Sequence, residues 1–171
     1  METNEAKQEA PMIAEPQKEH LWLKRLVGEW TYEGEATMEP GKAPEKWKGA
    51  ESVRSLGDLW FLAEGQTEMP GVGTGTTIMT LGYDPQKEHY VGAWIGSMMA
   101  HLWVYEGILD ADERVLTLDT EGADMAGQGK LTKYRDVIEF KSDDHRVLTS
   151  LIQDDDGNWQ QFMTANYRRN K

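Results

Sequence analysis

Trp94, Trp103 and the polar residues spaced around them are the part of this sequence best equipped for chemistry. In an extended chain alternate side chains share a face. That parity groups Trp94 with Tyr90 and Gly92, and Trp103 with His101 and Tyr105 on the following run. Arg54, Glu64 and Tyr134 are polar residues among apolar companions on other runs. Projected into one interior, Arg54, Glu64, Trp94, His101, Trp103, Tyr105 and Tyr134 make an aromatic-walled pocket with a few hydrogen-bonding anchors, the usual make-up of a small-molecule site. An inward Arg54 favours a carboxylate, which a guanidinium grips with two parallel hydrogen bonds. The competing reading is a filled core in which these polar groups pair with one another. Glu64, His101, Tyr105 and Tyr134 are also suited to acid–base catalysis once burial shifts their proton affinities. No spacing marks a nucleophile with its base, so no residue is assigned a catalytic role.

Other chemistries find less support. The histidines are His20, His89, His101 and His145, without the close spacing of metal ligands, and surface positions explain them; no metal or cofactor is expected. There is no cysteine, which removes disulfides, zinc–thiolate sites and thiol nucleophiles and suits a reducing compartment. Gly71-Val72-Gly73-Thr74-Gly75 lacks the following helix that a phosphate loop requires and reads as a hairpin loop beside the pocket mouth. Asp154-Asp155-Asp156-Gly157 lacks the remaining calcium-loop ligands and reads as a solvated turn. Ser97-Met98-Met99 offers an adaptable apolar contact or plain core packing.

These residues need strands to carry them. Residues 1–15 read as a disordered tail and 16–171 as one domain. Pro16 opens a short amphipathic helix with Leu23, Leu26 and Val27 on one side and Gly28 as its cap. From Gly28 the period becomes two: Trp30, Tyr32, Gly34, Ala36 and Met38 share a face. Further runs extend from Trp47, Leu59, Thr76, His89, His101, Val115, the segment after Gly129, Arg146 and Asn158, each bounded by turn residues such as Asp84-Pro85 and Asp156-Gly157. About ten strands joined by short turns predict an all-β protein: a single antiparallel β-barrel with a short N-terminal α-helix. Runs such as His89–Ile95 and Leu102–Ile108 are apolar on both faces, so the helix or a second subunit is expected to cover part of the outside.

A net charge of -12 repels phosphate backbones and anionic lipid heads, so nucleic acid and membrane surfaces are not expected partners. The N-terminus lacks a secretory signal pattern and no apolar run is long enough to span a bilayer, which makes the cytoplasm the default.

The junction Leu26-Val27-Gly28-Glu29-Trp30 resembles the opening of the calycin superfamily (lipocalins and fatty-acid-binding proteins), in which Gly-x-Trp on the first strand follows a short helix. The resemblance implies that an Arg from the last strand, within Tyr167-Arg168-Arg169, packs across that Trp. Leu81-Gly82-Tyr83-Asp84-Pro85, Trp94 to Met99, Leu102 to Gly107, Lys133-Tyr134-Arg135-Asp136 and Thr164 to Arg169 further resemble an uncharacterised bacterial family, domain of unknown function 1579, itself calycin-like. That family brings a fold and no established activity. Some ten-stranded calycins hold haem through a late-strand histidine, but Gln160 to Thr164 contains none. The leading expectation is a barrel binding a small apolar or amphipathic ligand, with an enzyme acting on such a molecule, or a filled, homodimeric interaction module, as alternatives.

Overall fold

A computed structural model describes residues 13–171 except 38, 40, 72 and 126. The tail expected over residues 1–15 therefore lies mostly outside the described residues, as does Met38. One helix, α1 (Lys18–Lys24), precedes ten strands: β1 (Gly28–Ala36), β2 (Glu45–Leu56), β3 (Trp60–Met69), β4 (Gly73–Asp84), β5 (His89–Gly96), β6 (Trp103–Leu109), β7 (Val115–Ala123), β8 (Leu131–Ser142), β9 (His145–Gln153) and β10 (Trp159–Arg169). Each strand pairs antiparallel with its sequence neighbours, and β1 pairs with β10 to close the ring. The closed all-β barrel with one short helix is the architecture that the alternation predicts. Closure leaves no unpaired sheet edge.

Alternation fixes what points inward. On β1 Trp30, Tyr32, Gly34 and Ala36 are buried while Glu29, Thr31, Glu33 and Glu35 are exposed. Glycines on the inner wall make room for neighbouring rings: a Cβ on Gly49 would fall 2.2 Å from the Tyr32 ring. Two register shifts, between Phe140 and Ser142 and between Gln161 and Met163, bend β8 and β10.

The helix plugs one end of the barrel instead of covering its wall. Its apolar side buries Trp22 and Leu23, and Leu26 follows in the turn. The Trp22 indole donates to the Glu113 carbonyl at 2.6 Å and meets the Phe140 ring edge-on. The helix ends at Lys24, shorter than the sequence pattern implies, and Gly28 (φ +137°) starts β1 rather than capping the helix. A side chain there would collide with the Arg169 guanidinium, 2.5 Å away. Ile95, Leu102, Val104 and Ile108 consequently remain exposed on the outer face of β5–β6 and its approach. Among the described residues no helix is long and apolar enough to cross a membrane.

The plug is locked at Trp30. This fully buried ring donates its indole N–H to the Leu26 carbonyl at 2.8 Å. Arg169 lies 4.2 Å from the ring centroid, as the calycin resemblance implies. Its guanidinium also donates to the carbonyls of Val27 (2.6 Å) and Arg25 (2.8 Å), which satisfies backbone acceptors left over where the helix ends, and to the Asp143 carbonyl (3.1 Å) in the β8–β9 turn. Trp30→Ala should lower unfolding free energy by about 3–5 kcal/mol, and Arg169→Met by about 1.5–3 kcal/mol. Glu35→Ala, on the exposed face, should stay within about 0.5 kcal/mol. Urea unfolding measures all three, and equal effects at Trp30 and Glu35 would refute the plug.

Candidate functional site

The barrel interior has two unlike halves. Near the helix it is filled: Trp30, Phe61, Leu81, Leu116, Ile138 and Phe140 are each at most 2% exposed. Away from the helix the inward side chains of Trp47, Met79, Trp94, Trp103 and Met163 keep part of their surface accessible. Trp47, Met79, Trp94 and Met163 pack against the core on one side and keep part of their surface accessible on the other.

Strand register assembles the wall of this half. Trp94 on β5 and Trp103 on β6 are directly paired. Trp103 meets Tyr134 of β8 edge-to-face at 5.0 Å, and Tyr134 meets Phe162 at 6.2 Å. Gly122 on β7 admits the Trp103 ring, since a Cβ there would lie 2.3 Å from it. The Tyr134 hydroxyl donates to the Ala123 carbonyl at 2.6 Å, and the Trp103 indole N–H points at the Met99 sulfur at 3.2 Å. His101 sits at the mouth, exposed, edge-on to Trp103 at 4.6 Å, with Nε2 2.9 Å from the Glu121 carbonyl.

Polar groups lie beneath this wall. Tyr105 donates its phenol to one carboxylate oxygen of Asp136, and Ser150 donates to the other at 2.5 Å. Arg146 is buried, ion-paired with Glu51, and held between Trp30 (4.6 Å) and Tyr167 (4.0 Å). Tyr32 hydrogen-bonds Thr67. Among the described residues the buried Nε of Arg146 and Oγ1 of Thr120 have no partner. Burial raises the Asp136 carboxyl above the ordinary carboxylate range, opposed by the hydrogen bonds from Ser150 and Tyr105. Burial, reinforced by Asp136, pushes the Tyr105 phenol well up, so it stays a donor. The cluster can hold a proton or face a charge.

Of the residues singled out in the sequence, Trp94, Trp103, Tyr105 and Tyr134 converge on the interior, and His101 guards its entrance. Arg54 and Glu64 do not join them. On β2 the inward set is Trp47, Gly49, Glu51 and Val53, and on β3 it is Phe61, Ala63 and Gly65; both charged side chains therefore take the opposite face and are exposed. Sequence reasoning missed Glu51, Asp136, Arg146 and Ser150. Parity could have found two of them, since Asp136 alternates with Tyr134, Ile138 and Phe140, and Glu51 with Trp47 and Val53. His20 is buried against Tyr83, contrary to the expected surface position. Among the described residues no three His, Asp or Glu side chains gather as a metal site. The Gly71 loop is a β3–β4 hairpin at the rim, and Asp154 caps its own turn through the N–H groups of Asp156 and Asn158.

The raised carboxyl gives stability a sign with pH. Unfolded Asp136 ionises near about pH 4, whereas the folded protein retains this proton to higher pH. The native state binds more protons in that window, so this group's contribution falls as pH rises through it and is then constant. Asp136→Asn should therefore gain stability relative to the parent as pH rises from about 4 to 8. Urea midpoints across that range test it; a flat or opposite difference curve would refute it.

The architecture has known counterparts. The crystal structure of Rv2717c from M. tuberculosis superposes with a TM-score of 0.61 at 13% identity, covering 92% of this chain and 100% of that one. The S-type phycobiliprotein lyase CPES from Guillardia theta gives a TM-score of 0.58 at 15% identity, covering 91% of this chain and 99% of that one. At these identities the likeness is one of fold. No functionally curated protein matches this chain in sequence. Residues 15–169 match the family described as "Protein of unknown function (DUF1579)", and the chain belongs to that family.

Proposed function

We propose that this protein binds a small, partly apolar molecule in the half of the barrel away from the helix. The observation that carries this reading is the partial accessibility of inward Trp47, Trp94 and Trp103 above a filled, plugged base. Accessible aromatic walls with a few convergent polar groups are how small-molecule sites are built. The fold likeness to a phycobiliprotein lyase is in keeping with this and makes bilin-type molecules reasonable probes. Arg54, the anchor on which a carboxylate preference rested, faces outward and supplies no interior contact. A cytoplasmic site of action suits the cysteine-free chain.

The exposed outer face of β5–β6 favours one addition: a second copy of the chain. Ile95, Leu102 and Val104 form an exposed apolar group that Glu106 separates from Ile108, and on a protein of net charge -12 such a group is where two acidic copies would meet with least repulsion. Sedimentation should then show a concentration-dependent dimer that Val104→Asp abolishes; a monomer at micromolar concentration rejects the dimer and leaves the pocket reading intact.

For the pocket, apolar fluorescent probes and bilins should quench tryptophan emission on binding. Trp94→Ala and Trp103→Ala should each weaken affinity about tenfold, the equivalent of one aromatic contact. Arg54→Ala and Glu64→Ala should leave affinity unchanged. Unaltered binding in both Trp variants would reject the site.

A further inference from the structure

The binding reading leaves the charge of the ligand open, and the interior residues supply an answer. We propose that the open half of the barrel selects a small organic cation, a protonated nitrogen base on an apolar or aromatic body, with Asp136 as its counter-ion. This rests on the pocket reading and narrows it to a class of ligand.

Charge balance is the first observation. Between the Arg169 plug and the rim, the inward ionisable residues among those described are Glu51, Asp136 and Arg146, beside the phenols Tyr32, Tyr105, Tyr134 and Tyr167. Arg146 and Glu51 neutralise one another, and the guanidinium is further held between Trp30 and Tyr167. That leaves Asp136 without a cation. Among the described residues the one guanidinium between plug and rim, Arg146, keeps an unpartnered Nε but has its charge balanced by Glu51, so a carboxylate ligand would find no uncompensated cation and would be repelled by an ionised Asp136.

Geometry is the second. Asp136 lies deep in the barrel, with its carboxyl enclosed, while the residue keeps part of its surface accessible. Tyr105 and Ser150 fix its orientation while using two of the roughly four acceptor positions of a carboxylate. Two residues along β8, Tyr134 begins the aromatic wall with Trp103, which pairs with Trp94. Aromatic faces over an uncompensated carboxylate are the combination that holds organic cations, through the ring quadrupole and direct charge attraction. Thr120, buried on the inner face of β7 opposite Tyr134, adds a hydroxyl with no partner among the described residues. It can accept a hydrogen bond from the same nitrogen centre.

The test uses three probes sharing one naphthyl body and carrying an amine, a hydroxyl or a carboxylate, titrated against the full chain by tryptophan quenching at about pH 7 and about 0.15 M salt. The amine should bind about tenfold more tightly than the alcohol, and the carboxylate most weakly. Asp136→Asn should bring the amine down to the alcohol's affinity, whereas Glu64→Gln, which removes an exterior charge of the same sign, should leave their ratio unchanged. Raising salt to about 0.5 M should preserve the ratio, because an enclosed contact is screened far less than a surface one; this holds the test even if Asp136→Asn does not fold. A carboxylate that binds as well as the amine, a preference that survives Asp136→Asn, or one erased by Glu64→Gln or by salt overturns the proposal. If the alcohol binds without any amine preference, the pocket reading stands and this proposal falls. If no probe binds, both fall.

Discussion

Trp30 sits between two guanidinium groups, and the division of the barrel into a sealed base and an accessible upper half follows from that sandwich. Arg169 ties the ring to the carbonyls at the end of the helix segment, and Arg146 lies on the interior side, paired with Glu51. A ring fixed by cations on both sides fills the base at the level where Leu23, Phe61 and Leu116 complete the packing. Without that seal, the accessible half would be a channel with two openings rather than a cup with a floor.

The cup differs from its floor in kind as well as in packing. Below, the large side chains are surrounded and the charges of both guanidinium groups are held by carboxylate or carbonyl oxygens, although the Nε of Arg146 keeps no partner among the described residues. Above, aromatic rings keep part of their surface accessible, Thr120 lacks a partner among the described residues, and Asp136 is satisfied by neutral donors alone. Unmatched polar groups are costly inside a protein and cluster where function requires them. Thr120 and Asp136, both in the accessible half, are what connect the fold to a binding role.

The alternation of residues made the barrel legible: Trp30, Tyr32, Gly34 and Ala36 face inward in the order that a period of two demands. The aromatic wall was legible for the same reason, because Trp94 and Trp103 sit in runs where one face is plainly aromatic. Arg54 and Glu64 face outward because Trp47, Val53 and Phe61 set the parity of their strands, and a polar residue among apolar neighbours does not by itself mark an inward position. Arg146 was hidden by Val147, Leu148 and Leu151, which make β9 apolar on both faces and remove the parity signal. Ser150 and Asp136 meet only through the β8–β9 register, where they are paired residues, and pairing between strands is set by the bulge at Phe140 and Ser142 rather than by any local motif. The helix was visible, but its role as a plug depends on Glu113 and Asp143, residues about ninety or more positions away.

The β1–β10 pairing that closes the ring also decides where the polypeptide enters and leaves. Trp30 is opposite Arg169, and the Asn170 amide bonds the Glu29 carbonyl, so the start of β1 and the last residues lie together beside the floor. An affinity handle or fused domain joined after Lys171 therefore hangs from the underside of the cup and leaves its mouth facing solution.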